Sequence, residues 1–432
     1  MKKYYLFGAG NNAWGVISYF GRENIIAIID NEEKKIGIIL EGVPVVSFEQ
    51  YMLSHGDETI IITTAIFDEI VNQLEDAGIS NYYIAPLIQF GLVDAKQVIK
   101  DFQLERKDRL VIWGYNPIAE KFIDVLRENN TNIKLKLLSK DGEAPELDTE
   151  AFMEVINYNQ LLIYDTVLLF TEETKSGVQS FIKKRNNVID IFALETESNK
   201  NHGKKLIKFK NLHKGESCFI VGNGPSLQIN DLDQIQKKGI CSFGMNLSYH
   251  IYDKTFWRPS YHIICEYNIL REYYDDIKRL RHDNLFIKNF YYMDETPYLD
   301  DINYYPGSSM RNYYKDNKFS DDITKVVYAG YSVTYDALQI AIYMGFKKIY
   351  LIGNDFSYMG DPAGKGNHFY DDIMRDKRTV AGRPYIDVTL KNLQIAKEHA
   401  DSRGIKILNA TRGGKLEIFQ RVNIDKVFEE DL

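Results

Sequence analysis

The chain has 432 residues, 44% hydrophobic and 26% charged, with a formal net charge of −8. That length suits two or three domains, and the composition is that of a soluble globular protein. The acidity argues against a general nucleic-acid binder, which needs clustered Lys and Arg to replace counterions. No apolar run approaches the ~20 residues of a spanning helix.

The opening, "MKKYYLFGAG", reads as a strand entering a glycine turn and not as a signal peptide. The turn Gly8-Ala9-Gly10-Asn11-Asn12 leads into a helical segment from Ala13 to Phe20, and "NIIAIIDN" then closes on Asp30. This is the Rossmann half-pattern, in which the acid would favour a ribose contact, although Gly8, Gly10 and Gly15 do not complete GxGxxG. "ETIIITT" at 58–64 and "NYYIAPL" read as further strands around a helix at 67–78. The pattern repeats at 109–130, "RLVIWGYNPIAEKFIDVLRENN", with Gly114 at the turn, and again in "IKLKLLSKD" and "DTVLLFTEETKSGVQSFIKK". This second copy lacks the acid after its second strand, so it is expected to bind no nucleotide.

The basic, glycine-bearing segment 196–215 is the natural boundary before a third region. Residues 1–95 and 96–200 are therefore read as two related α/β units, and 201–432 as a Rossmann-like catalytic domain. The class is α/β throughout.

The third region opens with "SCFIVGNGPSL" at 217–227, a strand running into a glycine turn. Gly222 and Gly224 allow close backbone approach to a ligand with N–H donors pointing outward. Asn223 can donate or accept, which suits a phosphate oxygen or a sugar hydroxyl. Ser226 can cap the following helix or touch a phosphate. "GICSFGMNLSYH" is a second strand with Asn246 just past its end. Ser332, Val333 and Thr334 open a helix stopped by Gly345, and "KKIYLIGNDFSY" is a buried strand ending on Gly353, Asn354, Asp355 and Tyr358. Ligands of open α/β sheets bind beyond the carboxyl ends of strands, and three such ends carry these residues. Asp355 reads equally as a turn residue or a ligand contact. Arg412 in "NATRGG" reads as part of a closing turn or as a partner for a sugar acid. His262 and Glu266 read as packing residues or as facing the acceptor.

Other features carry less. The tyrosine-rich stretch 291–314 reads either as a substrate-covering loop or as surface packing. Cys218, Cys241 and Cys265 lack metal-ligand spacing and are odd in number, so reduced, buried thiols and a cytoplasmic location are expected.

"IVGNGPSL", Asn246, the Ser/Thr-led helix and "MGFKKIYLIGNDFSY" followed by a His resemble the bacterial sialyltransferases that use CMP-sialic acid. They resemble still more the motility-associated factor (Maf) glycosyltransferases, whose domain type includes the MptE-like pterin diphosphokinases. The resemblance covers about residues 215–425. It implies that Asn223 and Asn246 hold the cytidine monophosphate part of a donor, and that Gly330, Ser332 and Thr334 form the turn contacting the nucleotide. It implies that Tyr358 steadies the leaving phosphate, with Tyr370 or Tyr331 as a second donor, and that His368 is the base.

The leading expectation is thus a sialyltransferase-like enzyme moving a nonulosonic sugar from a CMP donor to a glycan or protein hydroxyl, with no cofactor and no metal. The alternatives are an MptE-like pterin diphosphokinase using ATP and Mg²⁺, and a non-catalytic nucleotide-sugar-binding protein. Neither a nucleic-acid partner nor a transmembrane segment is expected, and self-association is left open.

Overall fold

The computed structural model describes residues 2–64, 67–84, 94–129, 132–138, 154–163, 165–170, 186–191, 202–280, 284–289, 299, 302–307, 318–356 and 386–429. The chain divides into two compact units, Met1–Leu194 with Tyr292–Glu295, and Glu195–Tyr291 with Thr296–Leu432. Among the described residues, no helix is long and apolar enough to cross a membrane.

The first unit holds two sheets. One contains β1 (Tyr4–Phe7), β2 (Ile25–Ile29), β3 (Ile39–Leu40), β4 (Val43–Val46), β5 (Thr59–Ile62) and β6 (Tyr82–Ile84), in the order β3-β4-β2-β1-β5-β6. Its central strands β1, β2 and β5 are short, largely buried apolar runs, as parallel strands covered by helices must be, while β3, β4 and β6 are partly exposed. The β3–β4 pair is an antiparallel hairpin, and the other pairs are parallel. The second sheet contains β7 (Arg109–Trp113), β8 (Lys134–Leu138), β9 (Glu154–Ile156), β10 (Thr166–Leu169) and β11 (Asn187–Asp190), ordered β11-β10-β7-β8-β9. Setting the β3 hairpin strand aside, both sheets share the strand order 3-2-1-4-5, the Rossmann order without its sixth strand. The repeat seen in the residues is a repeat of topology.

Asp30 follows β2 as the Rossmann pattern requires, but its carboxylate is occupied within the protein. It accepts from Ala9 N at 2.6 Å and Glu32 N at 2.9 Å, and Lys35 lies 3.3 Å away. Asp30 thus forms an internal brace on the first turn.

Among the described residues, the second unit is built on one parallel sheet of eight strands: β12 (Ser217–Val221), β13 (Cys241–Met245), β14 (Tyr261–Ile264), β15 (Leu285–Lys288), β16 (Asn303–Tyr305), β17 (Lys348–Ile352), β18 (Lys406–Asn409) and β19 (Gln420–Arg421). The order is β16-β15-β14-β13-β12-β17-β18-β19. Successive strands step outward from β12 to β16, and the chain then returns to the other side of β12. The topological switch point is therefore the β12–β17 pair. The helix Val333–Tyr343 lies against this sheet with nearly every side chain buried, including Gln339, whose amide is fully engaged with Ser320, Tyr328 and Tyr335. Gly345, at φ +95°, ends it.

At the switch point, two backbones run side by side out of the sheet. Gly222 N donates to Ile352 O at 2.7 Å, and Gly224 N donates to Gly353 O at 2.8 Å. A Cβ on Gly222 would stand 2.3 Å from the Gly353 carbonyl oxygen. Gly353 itself sits at φ +63°. Gly222→Ala should therefore destabilise the protein by about 1–3 kcal/mol, at the upper end because the opposing atom is backbone. Urea unfolding checks this, and an unchanged midpoint would contradict the packing described.

Candidate functional site

The carboxyl ends of β12, β13 and β17 bring together most of the residues singled out in the sequence. The turn Gly222–Ser226 follows β12, Asn246 follows β13, and Gly353, Asn354 and Asp355 follow β17. Ser332 and Thr334 join them from the start of the Val333–Tyr343 helix, because Thr334 Oγ1 donates to Asn354 Oδ1 at 2.7 Å.

The chemistry of the turn differs from that of an open phosphate cradle. The N–H groups of Gly222 and Gly224 are bonded to β17, so they do not point outward as the glycine pattern suggested. Ser226 neither caps its helix, whose N-cap is Gln228, nor stands free. Its Oγ donates to Asp355 Oδ2 at 2.9 Å and its N–H approaches the same oxygen at 3.4 Å. A carboxylate thus takes the position at Ser226 where an anion would be received. Burial raises the Asp355 carboxyl above its usual range, while the bonds from Ser226 pull the other way. Asn354 is a clasp: besides receiving Thr334, its amide donates to Ile352 O at 3.0 Å, and its backbone N–H donates to Thr411 Oγ1 at 3.2 Å.

Asn223 is different. Its Nδ2 donates to Met245 O at 3.1 Å, which fixes the amide's orientation because a carbonyl only accepts. Its Oδ1 is buried and has no partner among the described residues. An acceptor in that state carries a cost of about 1–3 kcal/mol unless a donor reaches it. The atom offered at this site therefore calls for an N–H or O–H, not for a phosphate oxygen.

Asn246 adopts φ +47° immediately after β13. Its amide donates to Glu266 Oε1 at 2.9 Å and accepts from Cys265 N at 3.3 Å, while its carbonyl accepts from His262 Nε2 at 2.7 Å. His262 is buried, and burial lowers its pKa to about 4, so it is a neutral ring holding the Asn246 corner. Glu266 is exposed and reaches the site through Asn246.

Gly330 is required by packing, since a Cβ there would lie 2.3 Å from the Tyr335 ring, and Tyr331 follows at φ +59°. Ser332 is the helix N-cap, accepting from Thr334 N at 3.3 Å. Arg412 makes a two-pronged pair with buried Asp231 at 2.8 and 2.9 Å and also binds Asp425. It serves the fold and is not held for a sugar acid. His368, Tyr358 and Tyr370 lie outside the described residues. Of the tyrosine-rich stretch, Tyr304 and Tyr305 form β16 and are buried, so at those two positions it is core.

A cluster that the sequence did not mark as a site lies at the ends of β14, β15 and β16. Tyr305 donates to Asp336 Oδ2 at 2.8 Å, and Lys288 and Cys265 lie close enough to act on one another electrostatically. Burial raises the Asp336 carboxyl to about 6, against the opposing pull of Lys288. The one signal available was an apolar strand ending in a lysine, "LFIK".

The second unit is thus a Rossmann-like α/β domain with a polar site at its switch point. Residues 192–361 match the family described as 6-hydroxymethylpterin diphosphokinase MptE-like. No curated protein matches the chain. Among solved structures, a MAf glycosyltransferase from Magnetospirillum magneticum AMB-1 is similar over 79% of this chain at 13% identity, with a TM-score of 0.32. This chain spans 63% of that one.

Asp336 supplies a test of the electrostatics. A carboxyl raised from 3.8 to about 6 stabilises the fold below pH 4, and this contribution is lost as pH rises through 6. The stability of the wild type relative to Asp336→Asn should fall between pH 4 and 7 by up to about 3 kcal/mol. Thermal unfolding across that range measures it, and a difference independent of pH would contradict the buried placement.

Proposed function

We propose that the second unit is a glycosyltransferase that takes a nonulosonic sugar from a CMP donor and passes it to a glycan or protein hydroxyl. The observation that carries this reading is the Oδ1 of Asn223, buried and without a partner among the described residues, in a turn whose Gly222, Gly224 and Ser226 N–H groups are already engaged. Such a site suits the amino or hydroxyl edge of a nucleoside better than a wrapped triphosphate. The sequence resemblance over 215–425 supports the same reading.

In this reading the acceptor oxygen attacks the anomeric carbon as its proton passes to His368. The bond from that carbon to the phosphate oxygen breaks, and the electron pair leaves with CMP, steadied by the Tyr358 hydroxyl. A monophosphate leaving group of this kind needs no metal. A second reading, ATP-dependent diphosphoryl transfer to a pterin, is favoured by the description of the matching family model.

Isothermal titration with CMP, and with ATP plus Mg²⁺, separates the two. Under the first reading CMP binds in EDTA, and Asn223→Ala weakens it about ten- to a hundredfold. Affinity for ATP only with Mg²⁺ would favour the diphosphokinase.

His368→Ala should lower kcat by about 10²–10⁴ with little change in nucleotide affinity, because proton removal matters only in the transition state. The wild-type rate should fall as the base is protonated at low pH, and that limb should vanish in the variant. Near-normal turnover in His368→Ala would move the base elsewhere.

A further inference from the structure

Glu266 has no task in the proposed transfer. It follows β14 and stands at the N-cap position of the helix Tyr267–Glu272, yet its side chain makes no capping bond. Instead its Oε1 accepts from Asn246 Nδ2 at 2.9 Å. The residue is exposed, and among the described residues no other hydrogen bond engages its carboxylate, so Oε2 is open to a ligand's donor.

Asn246 is placed to hold this carboxylate. It is buried at φ +47°, a conformation that a non-glycine residue keeps where its surroundings over-determine it. Cys265 N donates to its Oδ1 at 3.3 Å, which orients the amide so that Nδ2 faces Glu266. His262 Nε2 donates to its backbone carbonyl at 2.7 Å. An exposed glutamate ordinarily samples several rotamers, and here a buried amide restrains it.

The same corner carries a second acceptor on its other side. Asn223 Nδ2 donates to the carbonyl of Met245, the residue before Asn246, and Asn223 Oδ1 is buried without a partner among the described residues. Asn223 and Glu266 thus flank the end of β13, and the strands they follow, β12 and β14, lie about 10 Å apart. Two acceptors so placed call for a ligand with donors at both ends. A nucleoside with an exocyclic amino group has them: ribose hydroxyls at one end, the amine at the other. Charge sets the direction. The phosphate hangs from the ribose, and repulsion by the exposed Glu266 carboxylate puts that end at the neutral Asn223 amide and the base at Glu266. Asp355 is buried with its Oδ2 on Ser226, so it does not compete for the amine.

From this arrangement we infer that Glu266, positioned by Asn246, accepts from the exocyclic amino group of the ligand's base and so selects an amino-bearing base over its keto counterpart. A keto oxygen at that position sets acceptor against acceptor and leaves both unpaired. The inference rests on the reading of the switch point as a nucleotide site.

The test is isothermal titration of the full chain with CMP and UMP in EDTA, and with ATP and ITP in Mg²⁺, for wild type, Glu266→Ala and Glu266→Gln. Both variants alter an exposed side chain and keep the fold. Wild type is expected to prefer the amino-bearing nucleotide by about ten- to a hundredfold. Glu266→Ala should reduce that preference to a few-fold. So should Glu266→Gln, whose amide donates to a keto oxygen as readily as it accepts from an amine. Equal wild-type affinity for CMP and UMP, or a preference that survives in both variants, would overturn the inference. Binding of ATP over ITP without any binding of CMP, with the preference lost in the variants, would retire the CMP reading and support the inference. Failure of all four nucleotides to bind would overturn both.

Discussion

The second unit depends on two backbones passing within hydrogen-bond distance of each other as they leave the sheet. Gly222 and Gly224 bond to Ile352 and Gly353, and no side chain at Gly222 could be accommodated. Asn354 then ties β17 to the Val333–Tyr343 helix through Thr334, and to the strand beyond through Thr411. Because β12 and β17 flank the switch point, this contact fixes the floor on which any ligand of the sheet must rest. The glycines that look like ligand-approach residues serve first to let protein approach protein.

This arrangement determines what the site can receive. Backbone donors engaged inside the protein are unavailable to a phosphate, and the Asp355 carboxylate against Ser226 adds charge of the wrong sign. Asp30 does the same at the first turn of the chain, accepting from Ala9 N. In both places an acid supplied by the protein braces a glycine turn. Asn223 is the exception, with one end of its amide anchored and the other buried without a partner among the described residues. An acceptor held in that way selects for a ligand donor, which is how a site distinguishes a nucleoside edge from a phosphate chain.

Much of this was legible in the residues. Continuous apolar runs ending in glycine turns marked β1, β7, β12 and β17, because strands buried on both faces must be apolar and must leave the sheet abruptly. The helix begun by Ser332 and ended by Gly345 carried its own start and stop signals. The β3–β4 hairpin was not legible, since "IILEGVPVV" is short and its exposed Ile39 breaks any alternation. Nor was the division of labour within the site. That Ser226 faces Asp355, 129 positions away, or that His262 braces Asn246, depends on strand order, which local pattern does not encode. Arg412 and Asp231, 181 positions apart, show the same limit.

The central claim is that the switch point reads a nucleoside through Asn223. The most direct measurement is a crystal structure of the protein soaked with CMP. The account predicts a base or ribose donor within hydrogen-bond distance of Asn223 Oδ1, with Ser226 still bonded to Asp355. A phosphate seated on the 222–226 turn with Asp355 displaced, or CMP bound away from the ends of β12 and β13, would contradict it.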